Sequence, residues 1–186
     1  TTQGNTTVIN TGTITGDIVL GGTGSVIDNR AGGVIDAPRR LGLSGGILTN
    51  AGTLQVGGAG RIGVTTLTGN LVQRASGTLV LDTDHRTGRS DRLEVQGNAK
   101  LAGTVEVHAA TLANRAVTVL TATEGVNLDA GLSVTRTHLF RFEPQASQNS
   151  LLLQPRAEFA LQAARLGPNQ QRVAWSANSA RGCSNR

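Results

Sequence analysis

The residues that could do chemistry crowd one short polar loop, 82–91. It holds three aspartates and one histidine, namely Asp82, Asp84, His85 and Asp91. Carboxylates and imidazoles serve as metal ligands and as general acids or bases. A metal site needs several such ligands in defined geometry, and here a single imidazole stands among arginines. The pattern therefore favours a solvated, self-paired charged loop, and we expect neither a metal ion nor a cofactor.

A second group of carboxylates, Asp17, Asp28 and Asp36, lies in the first part of the chain. One interpretation is a calcium or acid–base cluster of the kind that polysaccharide-degrading enzymes build on a solenoid surface. The other is that each aspartate accepts hydrogen bonds from nearby turn amides. Spacing alone does not bring three carboxylates together, so the sequence favours turn residues and a protein that is not an enzyme.

The elements that must position these residues follow a repeat with a period near twenty. Equivalent glycines and apolar residues recur in three copies: Gly12, Gly32 and Gly52, with Ile14, Val34 and Leu54. An asparagine precedes each glycine, at Asn10, Asn29 and Asn50. Short β-branched runs between Asn/Gly turns are typical of a β-solenoid, whose copies must stack to bury an apolar side. The predicted fold class is therefore all-β.

Composition indicates a narrow interior built from aliphatic side chains. Glycine accounts for 25 of 186 residues, tyrosine and methionine are absent, and there are only one tryptophan and three phenylalanines. Val, Ile, Leu and Ala suit a ladder in which each side chain stacks on its equivalent one coil away.

The single cysteine excludes an internal disulfide framework. No apolar run reaches the roughly 18 residues of a spanning helix, so we expect no membrane insertion by this segment.

The position of the basic charge argues against a nucleic-acid partner. The chain has 17 basic and 12 acidic residues, but residues 1–70 and 71–155 are each nearly neutral. The excess lies in 156–186. A nucleic-acid surface would require a basic stripe, and for single strands also aromatic residues for base stacking. Neither runs along the body of the chain.

Changes in pattern divide the chain into three segments. Residues 1–70 are predicted as solenoid coils. Residues 71–155 have longer strands with cleaner apolar alternation, which predicts a β cap covering the strand edges that an open stack exposes. Residues 156–186 are predicted as a short helical linker over 158–166, ended by Gly167, and a disordered tail.

A spaced set of small and apolar residues, with one Ser-Asp pair, runs through 77–155. Its members are Gly77, Thr78, Leu79, Ser90, Asp91, Leu93, Val95, Gly97, Ala99, Leu101, Gly103, Val105, Val107, Val119, Leu120, Ala122, Phe140, Phe142, Leu151 and Leu153. This pattern resembles the C-terminal passenger segment of monomeric, pertactin-like autotransporters of Gram-negative bacteria. The resemblance implies a right-handed parallel β-helix ending in an autochaperone, a β cap that folds first at the cell surface.

The resemblance also assigns site residues. The folding nucleus would comprise Leu79, Asp91, Leu93, Val95, Gly97, Leu101, Gly103, Val105 and Val107. A second short motif resembles the element at the start of the family's translocator barrel: Pro168, Asn169, Gln170, Val173 and Ala174. Here the family's usual Leu-Asp pair is replaced by Trp175 and Ser176. The expected partner is the protein's own translocator barrel, outside this chain.

Three functions follow from these patterns. The first is a structural stem and autochaperone of an autotransporter passenger, displayed by type V secretion at the outer-membrane surface or released outside the cell. The second is a virulence-associated adhesin whose solenoid face binds host glycans or matrix proteins. The third is a β-helix enzyme that degrades polysaccharides, which would need converging carboxylates. The sequence favours the first.

Overall fold

Stacked parallel strands organise the chain, whose computed structural model describes residues 4–111, 113–137 and 140–157. All regular elements within these ranges are β-strands. The first nine are β1 (Thr7–Asn10), β2 (Thr13–Thr15), β3 (Ile18–Val19), β4 (Val26–Asn29), β5 (Val34–Ala37), β6 (Arg40–Asn50), β7 (Thr53–Val56), β8 (Val64–Gln73) and β9 (Thr78–Asp84). The others are β10 (Arg89–Ser90), β11 (Arg92–Val95), β12 (Asn98–Leu101), β13 (Thr104–Thr111), β14 (Val117–Ala122), β15 (Gly125–Leu128), β16 (Ser133–Val134), β17 (Phe140–Ala146) and β18 (Ser150–Ala157).

The strands form two sheets in which sequential coils lie side by side. One sheet has the order β2-β5-β7-β9-β13-β16, all parallel, with β10 added antiparallel to β9. The other runs β1-β4-β6-β8-β11-β14 in parallel and also includes β3, β12 and β15. Long strands β6 and β8 each serve two ladders, since β6 pairs with β3 through Leu41 and with β4 through Ile47. This confirms the predicted all-β solenoid.

The register of the repeat differs by one residue from the sequence alignment. The structure pairs Ile14 with Ile35 and then Leu54, whereas Val34 lies beside Thr53 and is half-buried. Between its asparagine and its buried aliphatic residue the middle copy has two more residues than either neighbouring copy, and Gly33 replaces Gly32 as the equivalent glycine. A Cβ on Gly33 would lie 2.7 Å from the Asn10 carbonyl oxygen, which explains why glycine is required there.

The core is a continuous stack of aliphatic side chains between the sheets. Along one ladder Ile35, Leu54, Leu79 and Val105 are all completely buried and follow one another in register. Each such side chain contributes about 1.5–3 kcal/mol when it leaves water. The small, regular interior therefore explains the scarcity of aromatic residues.

The end of the described chain changes from parallel to antiparallel pairing. Strands β17 and β18 form an antiparallel hairpin, and β18 pairs antiparallel with β14 through Leu120 and Leu151. Before this hairpin, parallel ladders continue through the whole of 71–134 apart from β10. The boundary near residue 70 stays a prediction. The predicted helical linker and the motif at Pro168 to Ala174 lie outside the described residues.

Candidate functional site

The polar loop 82–91 lies in a short hairpin formed by β9 and β10. Strand β9 runs through Asp84, the chain turns, and β10 returns antiparallel with Arg89 opposite Asp84. The Gly88 amide donates to the Asp84 carbonyl oxygen at 2.9 Å, and Gly88 has a φ of 76°. The turn thus uses the left-handed conformation that glycine adopts without steric cost.

The Asp84 carboxylate stabilises this turn by accepting hydrogen bonds. Its Oδ1 accepts hydrogen bonds from the Arg86 amide at 3.1 Å, the Thr87 amide at 3.2 Å and the Thr111 hydroxyl on the neighbouring coil. Hydrogen bonding lowers the pKa of Asp84 to about 2, and the Thr111 hydroxyl makes the largest contribution. The carboxylate is therefore ionised and held by amides and a hydroxyl, and the prediction of a solvated loop is wrong for His85 and Asp91, which are buried.

Asp91 is buried, with 1% of its surface exposed, and links three segments. Its Oδ1 accepts from the Gly63 amide at 2.8 Å, and its Oδ2 from the Asp82 amide at 2.7 Å. A Cβ on Gly57 would lie 2.0 Å from the same Oδ1, so glycine at this position leaves room for the carboxylate. Asp91 thereby fastens the loop between β7 and β8 to β9 one coil later.

Burial raises the pKa of Asp91 to about 6, and the nearby Asp82 carboxylate adds to the increase. The two amide hydrogen bonds and His108 act in the opposite direction without cancelling it. An unfolded aspartate has a pKa near 3.9, so the ionised form is disfavoured by folding. Asp91 consequently stabilises the fold most below pH 4, and this contribution is lost as the pH rises through 6.

We expect the unfolding free energy to depend on pH through Asp91. Between pH 4.5 and pH 7.5 the wild-type protein should lose about 2 kcal/mol relative to an Asp91→Asn variant, whose side chain does not titrate. Urea unfolding of both proteins across this range measures the difference. Other titrating groups cancel in the comparison. Parallel stability–pH profiles for the two proteins would show that Asp91 is not the responsible group.

His85 connects the loop to the closing hairpin. Its ring is completely buried and stacks on Phe142 of β17, with centroids 5.3 Å apart and planes inclined by 21°. Its Nδ1 lies 2.9 Å from the Arg115 carbonyl oxygen, whereas its Nε2 is buried without a partner among the described residues. Burial lowers the pKa of His85, which keeps the imidazole neutral so that Nδ1–H donates to Arg115. His85 is thus a packing residue between solenoid and hairpin.

Asp82, the remaining acidic residue of the loop, pairs with His108 of β13, as does Glu106 on the same strand. His108 Nδ1 lies 3.5 Å from Asp82, and its Nε2 lies 2.8 Å from Glu106. Half of the His108 side chain is exposed, so these pairs contribute little. Among the residues that the structure describes, no three His, Cys, Asp or Glu side chains are grouped to hold a metal ion. His138 lies outside them.

The three N-terminal aspartates have separate environments. Asp17 Oδ1 accepts from the amides of Arg39 and Arg40, both at 3.1 Å. Asp28 pairs with the Arg30 guanidinium at 3.0 Å, while Asp36 has a buried Oδ1 without a partner in the described part of the chain. Only Asp17 accepts backbone amides as the sequence predicted, and the turn prediction is wrong for Asp28 and Asp36, which lie on strands β4 and β5.

The structure places the predicted nucleus residues in the interior or at tight turns. Leu79, Leu93, Leu101 and Val105 have no exposed surface, and Val95 and Val107 are 2% and 7% exposed. The glycines act through close backbone approach: a Cβ on Gly97 or Gly103 would lie 2.8 or 2.4 Å from a carbonyl oxygen of the preceding coil. Whether these residues fold first stays a prediction.

Sequence reasoning missed a buried ladder of amides. Asn10 Nδ2 donates to Asn29 Oδ1 at 2.8 Å, and Asn29 Nδ2 donates to Asn50 Oδ1 at 2.7 Å. Gln73 continues the stack on the next coil, where its Nε2 donates to the Ala102 and Thr104 carbonyl oxygens. All four residues are at most 6% exposed. The sequence feature that marks this ladder is the asparagine before each repeat glycine. The repeat pattern alone assigns that asparagine to a turn.

Comparison with known proteins adds no identity to this geometry. No protein-family model matches the sequence, and no curated protein matches it. In the described ranges no helix has the length and apolar character needed to cross a membrane. A function for this chain must therefore be argued from its own contacts.

Proposed function

We propose that this chain is the structural stem and folding nucleus of an autotransporter passenger at the surface of a Gram-negative bacterium. In this proposal the solenoid is right-handed, residues 71–155 act as its cap, and residues 156–186 lead to the protein's own translocator barrel. The proposed work is mechanical. The C-terminal coils fold first outside the cell, and earlier coils are added onto them.

The observation that supports this proposal is a difference between the two ends of the sheet that contains β14, since in the other sheet β2 and β16 both pair on one side only. Strands β1, β2 and β3 each pair on one side within the described residues, which leaves edges that could accept or template further coils. At the other end β18 covers β14, and the Val126 amide of β15 donates to the Gln148 carbonyl oxygen in the hairpin turn at 2.8 Å. The His85–Phe142 stack further fastens the hairpin. Local stability should therefore be greatest near the C-terminal end.

Refolding from urea should protect the C-terminal coils before the N-terminal ones. Pulse-labelled hydrogen exchange can compare amides of one ladder, since Ile14, Ile35, Leu54, Leu79 and Val105 follow one another in register. We expect the amides of Leu79 and Val105 to become protected before those of Ile14 and Ile35. The comparison is matched because all five side chains occupy the same position of a coil.

Two results would overturn the proposal. Simultaneous protection along the ladder, or earlier protection of Ile14, would show that the C-terminal coils are not the nucleus. An antibody against residues 77–155 should detect the native protein in the outer membrane or the medium. Detection in the cytoplasm alone would contradict the surface location.

A further inference from the structure

The outer surface carries an arginine-rich groove beside the 82–91 loop. It has a volume of about 510 Å³ and is lined by residues 62–64, 88–90, 92 and 115–118. The fold brings these segments together because the loop of one coil, strand β11 and the entry to β14 succeed each other along the stack. Three of the lining residues are arginines that are far apart in sequence: Arg89, Arg92 and Arg115.

Two of the three guanidinium groups have no carboxylate partner in the described part of the chain. The exposed side chain of Arg89 has no hydrogen bond or ion pair there, and Arg115 donates only to the neutral Thr87 carbonyl oxygen at 3.3 Å. Arg92 is paired with Glu94, at 2.9 Å from Nε and 2.6 Å from Nη2. The groove therefore presents a net positive charge.

The nearest other carboxylates do not neutralise this charge by direct pairing. Asp84 is held by the amides and hydroxyl described above, and Asp91 lies buried beneath the loop with both oxygens bonded to amides. The free guanidinium groups are thus available to a ligand. Arginine binds carboxylate and sulfate-like groups well because its planar fork can donate two parallel hydrogen bonds.

The groove also has an apolar part. Ile62, Val64 and Ala116 line it, and Val64 is 40% exposed, one of few large apolar side chains so exposed in the described residues. A pyranose ring with an acidic substituent has the matching chemistry, namely an apolar C–H face and a negative group. The volume lies within the range of about 300–1,000 Å³ that is usual for small-ligand sites.

We propose that this groove binds an anionic saccharide, one that carries sulfate or uronate groups. Nucleic acid is disfavoured because no aromatic side chain lines the groove to stack on bases, and because the charge forms one depression rather than a stripe. The proposal does not depend on the stem function, since it concerns the outer surface and not the order of folding.

The test measures binding of a fluorescently labelled heparin tetrasaccharide to the full chain. Neutralising both free arginines with Arg89→Gln/Arg115→Gln should weaken binding about ten-fold or more, and added salt should weaken wild-type binding. Arg74→Gln/Arg136→Gln is the matched control, because it removes the same charge from two exposed arginines outside the groove. The control should change affinity less than about two-fold.

Further measurements separate the alternatives. The single variant Arg89→Gln should also weaken binding while unfolding at the wild-type urea concentration, because the Arg89 side chain has no partner in the described chain. A neutral tetrasaccharide such as cellotetraose should not bind. Equal losses in the two double variants, no wild-type binding, or a duplex DNA that binds as tightly as heparin would each overturn the proposal.

Discussion

Replacing Leu101 with aspartate is expected to prevent the chain from folding under native conditions. Leu101 has no exposed surface and lies on β12 between Gln73 of β8 and Leu128 of β15. A carboxylate there would lose its hydration without a partner, and the leucine packing would be lost as well. This cost is comparable with the about 5–15 kcal/mol that stabilises a typical domain. Far-ultraviolet circular dichroism and urea titration would measure the loss, and Val105→Asp should behave in the same way.

The neighbouring position provides a matched control. Lys100 lies on the same strand and is exposed, so Lys100→Asp introduces the same side chain on the outer face. We expect this variant to unfold within about 0.5 kcal/mol of the wild type. A Leu101→Asp protein with native-like urea resistance would refute the assignment of Leu101 to the nucleus.

The second large effect is expected at the centre of the amide ladder, in Asn29→Leu. Asn29 accepts a hydrogen bond from Asn10 and donates to Asn50 Oδ1 at 2.7 Å, Thr53 O at 3.0 Å and Gly33 O at 3.3 Å. Leucine has a similar volume but cannot donate to Asn50 Oδ1 or to the Thr53 carbonyl oxygen, whereas Asn10 and Gly33 O keep other hydrogen bonds. Each unsatisfied group costs about 1–3 kcal/mol, so the unfolding free energy should fall by about 3–5 kcal/mol.

Asn127→Leu is the appropriate comparison for the ladder variant. Asn127 is exposed on β15, where the same substitution breaks no buried hydrogen bond recorded in the structure. Urea unfolding of both variants isolates the contribution of the buried amide. Equal stability of the two variants would mean that the ladder is not a major source of cohesion between coils.

Local pattern carried enough information to predict the solenoid but not its register. The copies at Gly12 and Gly52 share one turn length, and the apolar residues that follow them, Ile14 and Leu54, lie on the same ladder. The middle copy has two extra turn residues, and counting twenty residues therefore aligned Val34 where Ile35 is buried. Register depends on hydrogen bonds between coils, which periodicity does not contain.

At the candidate site, too, the sequence reveals which residues are present but not their environments. The cluster of Asp82, Asp84, His85 and Asp91 was visible in the sequence, but the burial of His85 and Asp91 was not. The sequence could not show that hydrogen bonds from Thr111 and the loop lower the pKa of Asp84. Nor could it show that burial raises the pKa of Asp91. Partners such as Gly63 and Phe142 are supplied by other coils, about 28 and 57 positions away from Asp91 and His85.

By itself, the sequence determined that this chain stacks short strands around an aliphatic core, because glycine turns and β-branched runs act locally on the backbone. The tertiary structure alone decided which asparagines face inward to form the Asn10–Asn29–Asn50 ladder, and which arginines meet in one groove. The physical reason is that the stack brings residues 20 to 30 positions apart into lateral contact. Burial, pKa and charge complementarity arise from those contacts and from no single segment.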